Sequence, residues 1–387
     1  MTQGGKTVIK ESYKESEISK EVIIQILDSY FESKKNQANK ESSRLFQEIF
    51  IEYLQSISGK GSPVAFANKV RISKIILDDL GVKKLCDINY DLVSIFLNSL
   101  TSREYKKNGK DSLYSQAYIN KIFLVTRSAI QYMENRDLIT EPFSHKLEKP
   151  ISRKYQEKIQ KALTPEEIKM LIDAMEQKPM LQALVTVLAY TGIRPGEAYA
   201  LKITDFDFEK RTVKIDRALS VDIKTDIKHQ YSHSSRPIIK SLKNEIGSHR
   251  ECAHRVLTVG ENVVRAILSL RDSETESIKE LKRIKGTSDY IFTAPTDGEL
   301  KRPDYYINEY RRQLKSKNIN GNYNFYRFRH TYCTMLFRDL KLNPKTVQYL
   351  MGDNSLDMVI RVYHSVNKND LISASADFSK IMDTLLK

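Results

Sequence analysis

Apolar residues recur every third or fourth position along most of this chain, which is the spacing of one helix face. Four such segments lie between residues 44 and 142, separated by polar turns: SRLFQEIFIEYLQSIS, AFANKVRISKIILDDLG, NYDLVSIFLNSLTSR and SQAYINKIFLVTRSAIQYMENRD. They predict a small helical domain over 44–142. Residues 1–43 hold one similar segment, EVIIQILDSYFESKK, between charged flanks that cannot form a core alone. We expect an arm or docking helix there.

The pattern changes after residue 142 and predicts a second domain over 163–365. Pro142, Pro150 and the alternating charges after them indicate a solvated linker over 143–162. The second domain opens at LTPEEIKMLIDAM, where Thr164 as N-cap and Glu167 form a capping-box pattern. Short strands are indicated by DFDFEKRTVKIDRAL, HSSRPIIKSL and HRVLTVG, after which helical spacing resumes. The predicted fold class is therefore mainly α with a small antiparallel β-sheet (α+β), in two domains.

Composition narrows the possible partners. Lysine and arginine total 63 against 49 acidic residues, a net charge of +14, which favours a polyanion and nucleic acid first. No apolar stretch reaches the roughly 20 residues that span a bilayer, and the polar start lacks a signal peptide's apolar region. We therefore expect no membrane partner and a cytoplasmic, nucleoid-associated protein. Disulfide and zinc frameworks are not indicated by the three widely spaced cysteines, Cys86, Cys252 and Cys333.

Three segments hold candidate chemistry. In AYTGIRPGEAYAL, Arg194 lies just before a helix start, where guanidinium donors and backbone N–H groups can bind a phosphate; alone, it could equally be a solvated surface arginine. In LMGDNSLDMVIRVYHSV, Tyr363 taken alone would be a packing residue. The segment between them, NYNFYRFRHTYCTMLF, groups basic and aromatic residues at a helix start: Tyr326, Arg327, Arg329 and His330.

The order of these three segments resembles the tyrosine recombinase (phage-type integrase) family of prophages and conjugative transposons. The family's first box reads T-G-x-R-x-x-E, the second H-x-x-R-H-T, and the third L-G-H followed by a nucleophilic tyrosine. The resemblance implies that Arg194 and Arg329 stabilise charge on the phosphate, and that Tyr363 attacks phosphorus to form a 3′-phosphotyrosyl bond. It implies no metal and no other cofactor. It also implies site-specific integration or excision of a mobile element by DNA cleavage and rejoining.

Two features of this resemblance leave roles open. The family's proton-donating lysine lies on a β-hairpin between the first two boxes, and here Lys243 is the first choice with Lys240 as alternate. Tyr326 and Asp353 stand where the family usually has histidine. Asp353 could orient an arginine or accept the nucleophile's proton; a shift in loop register would give the task to His364 or Asn354 instead.

The resemblance further implies a two-domain DNA clamp in which 44–142 is the core-binding domain and 163–365 the catalytic domain. Its partners would be double-stranded attachment sites, further copies forming a dimer to tetramer through the tail 366–387, and an accessory directionality factor. Alternatives are a catalytically weakened DNA-binding relative and a type IB topoisomerase-like enzyme. Candidate DNA contacts besides Lys240 are Lys69, Arg71, Lys107, Lys121, Arg327 and His330.

Overall fold

A computed structural model describes residues 29, 43–107, 110–152, 161–229, 231–242 and 254–353, with the backbone alone at 106, 107, 110 and 231–235. Tyr363, Lys243, the tail and almost all of the N-terminal region therefore lie outside the described residues. The chain divides into two compact units. One is Met1–Gln156 with Lys224–His233, and the other is Glu157–Ile223 with Ser234–Lys387.

Four amphipathic helices build the first unit: α1 (Phe46–Ile57), α2 (Pro63–Leu80), α3 (Tyr90–Ser99) and α4 (Gln116–Glu134). Short 3-10 helices follow at Leu85–Asp87 and Ser144–Lys146. The apolar stripes of the helices meet in one core, where Phe46, Ile76 and Ile122 are wholly buried. α3 and α4 begin at N-caps whose side chains accept backbone N–H bonds, Asn89 and Ser115.

A β-hairpin interrupts these helices, in contrast to the all-helical prediction for 44–142. Strand β1 (Glu104–Lys107) pairs antiparallel with β2 (Lys110–Leu113), with Glu104 opposite Leu113. The rings of Tyr105 and Tyr114 stack with centroids 4.9 Å apart. Helical spacing cannot reveal so short a hairpin, although the Asn-Gly pair between the strands is a known turn signal.

The first unit also includes the beginning of the segment predicted to be a solvated linker. Phe143 and Leu147 are 5% exposed and belong to the core of the first unit. The side chain of Gln116 accepts a hydrogen bond from the Ser152 backbone N–H, at 2.8 Å, and donates one to the Pro150 carbonyl, at 2.7 Å. Residues 143–152 are therefore packed on helix α4, so the prediction of a solvated linker from residue 143 is wrong for that part.

The second unit is helical with small sheets. Its helices are α5 (Pro165–Asp173), α6 (Pro179–Thr191), α7 (Pro195–Tyr199), α8 (Glu261–Asp272), α9 (Glu276–Ile284), α10 (Pro303–Ser316), α11 (Phe325–Arg338) and α12 (Pro344–Met351). Its strands are β3 (Phe206–Asp207), β4 (Thr212–Ile215) and β7 (Arg255–Thr258), together with most of β5 (Arg217–Asp226) and β6 (Tyr231–Ser241). The ends of β5 and β6 that fall within Lys224–His233 belong to the first unit. β3, β4 and β7 lie in the segments where sequence predicts strands, whereas β5 continues to Asp226, beyond its predicted segment, and β6 begins two residues before its own.

Antiparallel pairing arranges these strands in two groups. β4 lies between β3 and β7, with Val213 opposite Leu257, and β5 pairs with β6. Val213 and Leu257 are both almost wholly buried and join a core built around helix α6. Since α6 is apolar on nearly all sides, it forms the centre of this unit.

Among the described residues, no helix combines the length and apolarity that crossing a bilayer requires. In the same part of the chain, no three His, Cys, Asp or Glu side chains gather closely enough to hold a metal ion.

Candidate active site

Arg194 is positioned by a glycine turn at the end of the central helix. Helix α6 is capped by Gly192 in the left-handed conformation, with φ of +60°. A Cβ atom there would lie 2.3 Å from the Tyr332 ring, so glycine is required both by the backbone and by packing. The chain then enters helix α7 with Arg194 as N-cap and Pro195 as its first residue. This sharp turn directs Arg194 toward the interior of the second unit.

Glu197 fixes the orientation of Arg194. Its carboxylate accepts hydrogen bonds from the Arg194 backbone N–H, at 3.0 Å, and from Arg194 Nη1, at 2.8 Å. The Glu197 side chain is only 2% exposed. Burial by itself would raise the pKa of Glu197, but the charges of Arg255 and Arg194 outweigh it, and the pKa lies below the ordinary value. Glu197 is therefore a buried carboxylate between two guanidinium groups.

Arg255 is the second partner of Glu197 and was not among the predicted site residues. It opens strand β7, and its side chain is wholly buried. Its Nη2 donates to Glu197 Oε2 at 2.8 Å, and its Nε donates to the Leu350 carbonyl at 3.0 Å. Arg255 thus links β7 to α7 and to the end of α12. No local pattern marks it, because its partners come from distant parts of the chain.

Arg329 approaches from helix α11 and is 4% exposed. Its Nη1 donates to the Gly192 carbonyl at 3.0 Å, and its Nη2 donates to Asp353 Oδ2 at 2.6 Å. Burial, followed by repulsion from Arg194, lowers the pKa of Arg329 from its ordinary value; Asp353 and Glu197 oppose this effect. The two carboxylates therefore offset part of the cost of burying the charge of Arg329.

Asp353 joins the two predicted arginines. It follows Gly352, the left-handed cap of helix α12 with φ of +64°. One carboxylate oxygen pairs with Arg194 Nη2 and the other with Arg329 Nη2. The Gly352 carbonyl accepts a further hydrogen bond from Arg194 Nη2 at 2.8 Å. The glycine turn and the carboxylate beside it therefore hold both guanidinium groups at one place.

Together these groups form a chain of alternating charge. Its members, in order of contact, are Arg255, Glu197, Arg194, Asp353 and Arg329. Three arginines against two carboxylates leave one net positive charge. Planar guanidinium groups that already hold two oxygens of a carboxylate can hold two oxygens of a phosphate in the same way. The arrangement is therefore suited to binding an oxyanion.

Other predicted residues lie apart from this chain of charges. Tyr326 is 63% exposed at the start of α11. Lys240 lies on β6 and is half-buried, and so is His330, whose carbonyl accepts a hydrogen bond from the Thr334 hydroxyl. Arg327 stacks on the Tyr323 ring, 5.2 Å from its centroid, and its Nε donates to the Lys161 carbonyl at 3.2 Å.

The candidate DNA contacts of the first unit lie on two helices and a strand. Lys69 and Arg71 are on α2, with Lys69 half-buried and Arg71 exposed. Lys121 is exposed on α4, and Lys107 ends strand β1. The nucleophile candidate Tyr363 and the first-choice lysine, Lys243, fall outside the described residues.

Fold and site define a mainly helical α+β protein whose second unit has a buried cluster of arginines and carboxylates from separate elements. Residues 161–370 match the phage integrase family, which is more than half of the chain. The chain belongs to that family. The resemblance to tyrosine recombinases and the predicted fold class are thereby confirmed.

The relatives agree with this assignment. The chain is 26% identical over 208 residues to a "Tyrosine recombinase XerC-like" protein of Caldanaerobacter subterraneus subsp. tengcongensis, covering 52% of this chain and 49% of the relative. It is 28% identical over 195 residues to the "Transposase from transposon Tn916" of Enterococcus faecalis, covering 46% of this chain and 40% of the relative. The matches thus span about half, or less, of these relatives.

A solved structure shares the fold. The Tn1549 transposon integrase, determined in complex with a circular intermediate DNA, matches with a TM-score of 0.67 at 17% identity. The match covers 87% of this chain and all of that one.

Proposed function

We propose that this chain is a site-specific DNA recombinase that cleaves and rejoins duplex DNA to integrate or excise a mobile element. The observation that carries the proposal is the convergence of Arg194 and Arg329 on one carboxylate. Two guanidinium groups from separate elements supply preorganised charge where the transition state of phosphoryl transfer becomes more negative. Membership of the phage integrase family, and a relative named as a tyrosine recombinase, support the same activity.

The proposed reaction has two mirrored steps. In the first, the Tyr363 hydroxyl gives its proton to water and its oxygen attacks the scissile phosphorus; the P–O bond to the 5′ oxygen breaks, and the protein is joined to the 3′ end. The departing oxygen takes a proton from Lys243, or from Lys240 as alternate. In the second, a 5′-hydroxyl from another strand returns a proton to that lysine and attacks the phosphotyrosine; the bond between phosphorus and the Tyr363 oxygen breaks, and that oxygen takes a proton from water. The energy of the broken bond is kept in the intermediate, so no cofactor is invoked.

The net charge of the chain and its similarity to other integrases suggest the substrate and the assembly. The net charge of +14 and the lysines and arginines of α2 and α4 favour duplex DNA as the partner. A solved integrase with a similar fold is described as a dimer bound to a core site. We expect two to four copies on paired attachment sites, with a directionality factor as a further partner.

An apolar groove on the second unit supports this assembly. Its volume is about 800 Å³, and it is lined by side chains of α5, α6, α8 and α11, among them Ile168, Ala189, Tyr332 and Met335. The tail 366–387 ends in apolar residues at helical spacing, FSKIMDTLLK. We propose that the tail of one copy occupies the groove of another. Deleting 376–387 should then prevent assembly on paired sites but leave binding to a single site.

A nicked suicide substrate tests the activity. Duplexes tiled across the junctions that flank the coding element are nicked beside each candidate cleavage point, so that the departing strand diffuses away. A covalent protein–DNA adduct is expected, absent in Tyr363→Phe and retained in Tyr349→Phe, a matched change at a half-exposed tyrosine of α12. Duplex binding without any adduct would favour the catalytically weakened relative.

A second experiment assigns the proton donor. Lys243→Ala should stop cleavage of normal DNA but not of DNA with a 5′-phosphorothiolate at the cleavage point, because sulfur leaves without protonation. Lys240→Ala is the matched comparison. Rescue of Lys240→Ala alone would give the role to Lys240.

A further inference from the structure

Asp353 lies where a bound phosphate would have to lie. Each oxygen of its carboxylate takes one guanidinium group, Arg194 on one side and Arg329 on the other. Two non-bridging phosphate oxygens would need the same two donors. Because two anions cannot share these donors at close range, a phosphate that reaches both arginines must take the place of the carboxylate.

Asp353 is the more exposed member of its pair with Arg329. Its side chain is 14% exposed, while that of Arg329 is 4% exposed.

Both arginines have other contacts that would survive the loss of Asp353. Arg194 is also held by Glu197 and by the Gly352 carbonyl. Arg329 is also held by the Gly192 carbonyl at 3.0 Å. The pair would therefore stay near its present arrangement when the carboxylate moves away.

We propose that Asp353 is an internal substitute for phosphate: it holds the arginine pair in its anion-binding arrangement in the free protein and is displaced from the pair when phosphate enters. The identification of that phosphate as one of DNA rests on the proposed function. In this role Asp353 is a positioning residue that also competes with the substrate.

The charge balance predicts how a neutral replacement behaves. Asp353→Asn removes one of two carboxylates that balance three arginines, leaving two net positive charges. Glu197 is then the one carboxylate of the chain left to balance three arginines, and their greater mutual repulsion should lower the thermal midpoint. The vacated donors should be free to bind inorganic phosphate, and binding to the folded state raises the midpoint.

The test is thermal unfolding of the full chain at neutral pH in sodium chloride and in sodium phosphate of equal ionic strength. The wild-type midpoint should rise in phosphate only by the general stabilising effect of that salt, which the control variant should share. Asp353→Asn should unfold at a lower temperature in chloride and recover in phosphate, with an apparent Kd for phosphate at least about tenfold below that of the wild type. Asp353→Glu, which keeps the charge, should respond as the wild type does.

Asp339→Asn is the matched control, since Asp339 is an exposed carboxylate paired with the neighbouring Arg338. Its midpoint should rise in phosphate only as much as that of the wild type. Equal responses of wild type and Asp353→Asn to phosphate would overturn the proposal. If Asp353→Asn does not fold in chloride, folding in phosphate would itself be the expected rescue. Failure of both Asp353→Asn and Asp353→Ser to fold in phosphate would contradict the proposal.

This experiment is independent of DNA cleavage. It uses neither DNA nor the nucleophile, so Tyr363→Phe should give the same phosphate response. If no DNA adduct forms but phosphate rescues Asp353→Asn, the proposed function is wrong and the role of Asp353 as a phosphate substitute stands. If an adduct forms but phosphate gives no rescue, the proposed function stands and the role of Asp353 is wrong.

Discussion

Arg255 carries a wholly buried charge in the second unit, and Glu197 balances that charge. Arg255→Met leaves the Leu350 carbonyl without its donor and Glu197 with one partner fewer. Removing one partner of a buried ion pair costs about 3 kcal/mol or more. We expect a loss of that order in the free energy of unfolding, measured in urea. Arg283→Met, at an exposed pair with Glu280, should change little and serves as control.

Arg255→Lys separates positioning from stability. Lysine keeps the charge but cannot donate to Glu197 and Leu350 with one planar group. If Arg255 orients Arg194 through Glu197, the lysine variant should recover much of the stability while its DNA cleavage rate stays low. Full recovery of both would limit Arg255 to a structural role.

Glu197 gives the fold a defined response to acid. Its pKa is depressed in the folded state, so its stabilising contribution is present above the ordinary value of 4.5 and is lost as pH falls through the lower folded value. Glu197→Gln should therefore be less stable than wild type at neutral pH, and the difference should shrink below pH 4.5. Urea unfolding at several pH values measures this. Glu280→Gln, at the exposed pair with Arg283, should show a small difference at every pH.

Among the five residues in the chain of alternating charge, two were predictable from sequence as site residues, and a third was predictable without a defined role. Arg194 and Arg329 stand in recognisable motifs, and Asp353 was placed beside them without a defined task. Arg255 was missed because a buried ion pair depends on tertiary convergence, and its local sequence reads as an ordinary short strand. Arg327, predicted to contact DNA, stacks on Tyr323 and lies 3.9 Å from Glu167; only the fold brings those partners to it.

Helix ends decide the geometry at the next scale. Gly192 and Gly352 both have positive φ, and a Cβ at either would lie 2.3 Å from a side chain, that of Tyr332 or of Arg255 respectively. Gly286 has a similar φ of +65° with open space around it. Gly286→Ala should cost about 1 to 2 kcal/mol for the backbone conformation alone. Gly192→Ala and Gly352→Ala should each cost about 1 to 3 kcal/mol more, from overpacking.

Urea unfolding of the three alanine variants measures this difference. Equal losses in all three would show that the close contacts of Gly192 and Gly352 are not rigid. Gly352→Ala should also displace the Arg255 side chain, because the added Cβ clashes with its guanidinium group.

Elements with strong local signals were predictable. The Thr164 hydroxyl and the Glu167 side chain form the expected reciprocal bonds, at 3.2 Å and 2.9 Å. Strands β3, β4 and β7 fall within the predicted segments, but most of β5 lies beyond them. The hairpin of β1 and β2 was missed because its strands have four residues each and lie between strong helices.

For the whole molecule, the excess of positive charge should appear as salt dependence. If Lys69 and Lys121 contact DNA phosphates, each change to alanine should make the slope of log Kobs against log salt shallower by about 0.9. Lys279→Ala is the control, since Lys279 already pairs with Glu276 at 2.7 Å. Fluorescence anisotropy with a labelled duplex at several salt concentrations measures the slopes. Unchanged slopes would remove the first unit's lysines from the DNA surface.

The division into two units and the dominance of helix were predictable because hydrophobic periodicity extends over long segments. Where the first unit ends was not, since Phe143 and Leu147 are buried by contacts that the linker-like composition of 143–162 does not reveal.

The two glycine turns have one more consequence. Arg329 donates to the carbonyl of the turn that precedes Arg194, and Arg194 donates to the carbonyl of the turn that precedes Asp353. Each arginine thus donates to a main-chain carbonyl in a segment distant from its own in the sequence. No side-chain substitution can supply such an acceptor. To build this cluster of charges into another protein, a designer would have to include both glycine turns and helix α11, which bears Arg329. Introducing the arginines alone would leave them without their main-chain acceptors.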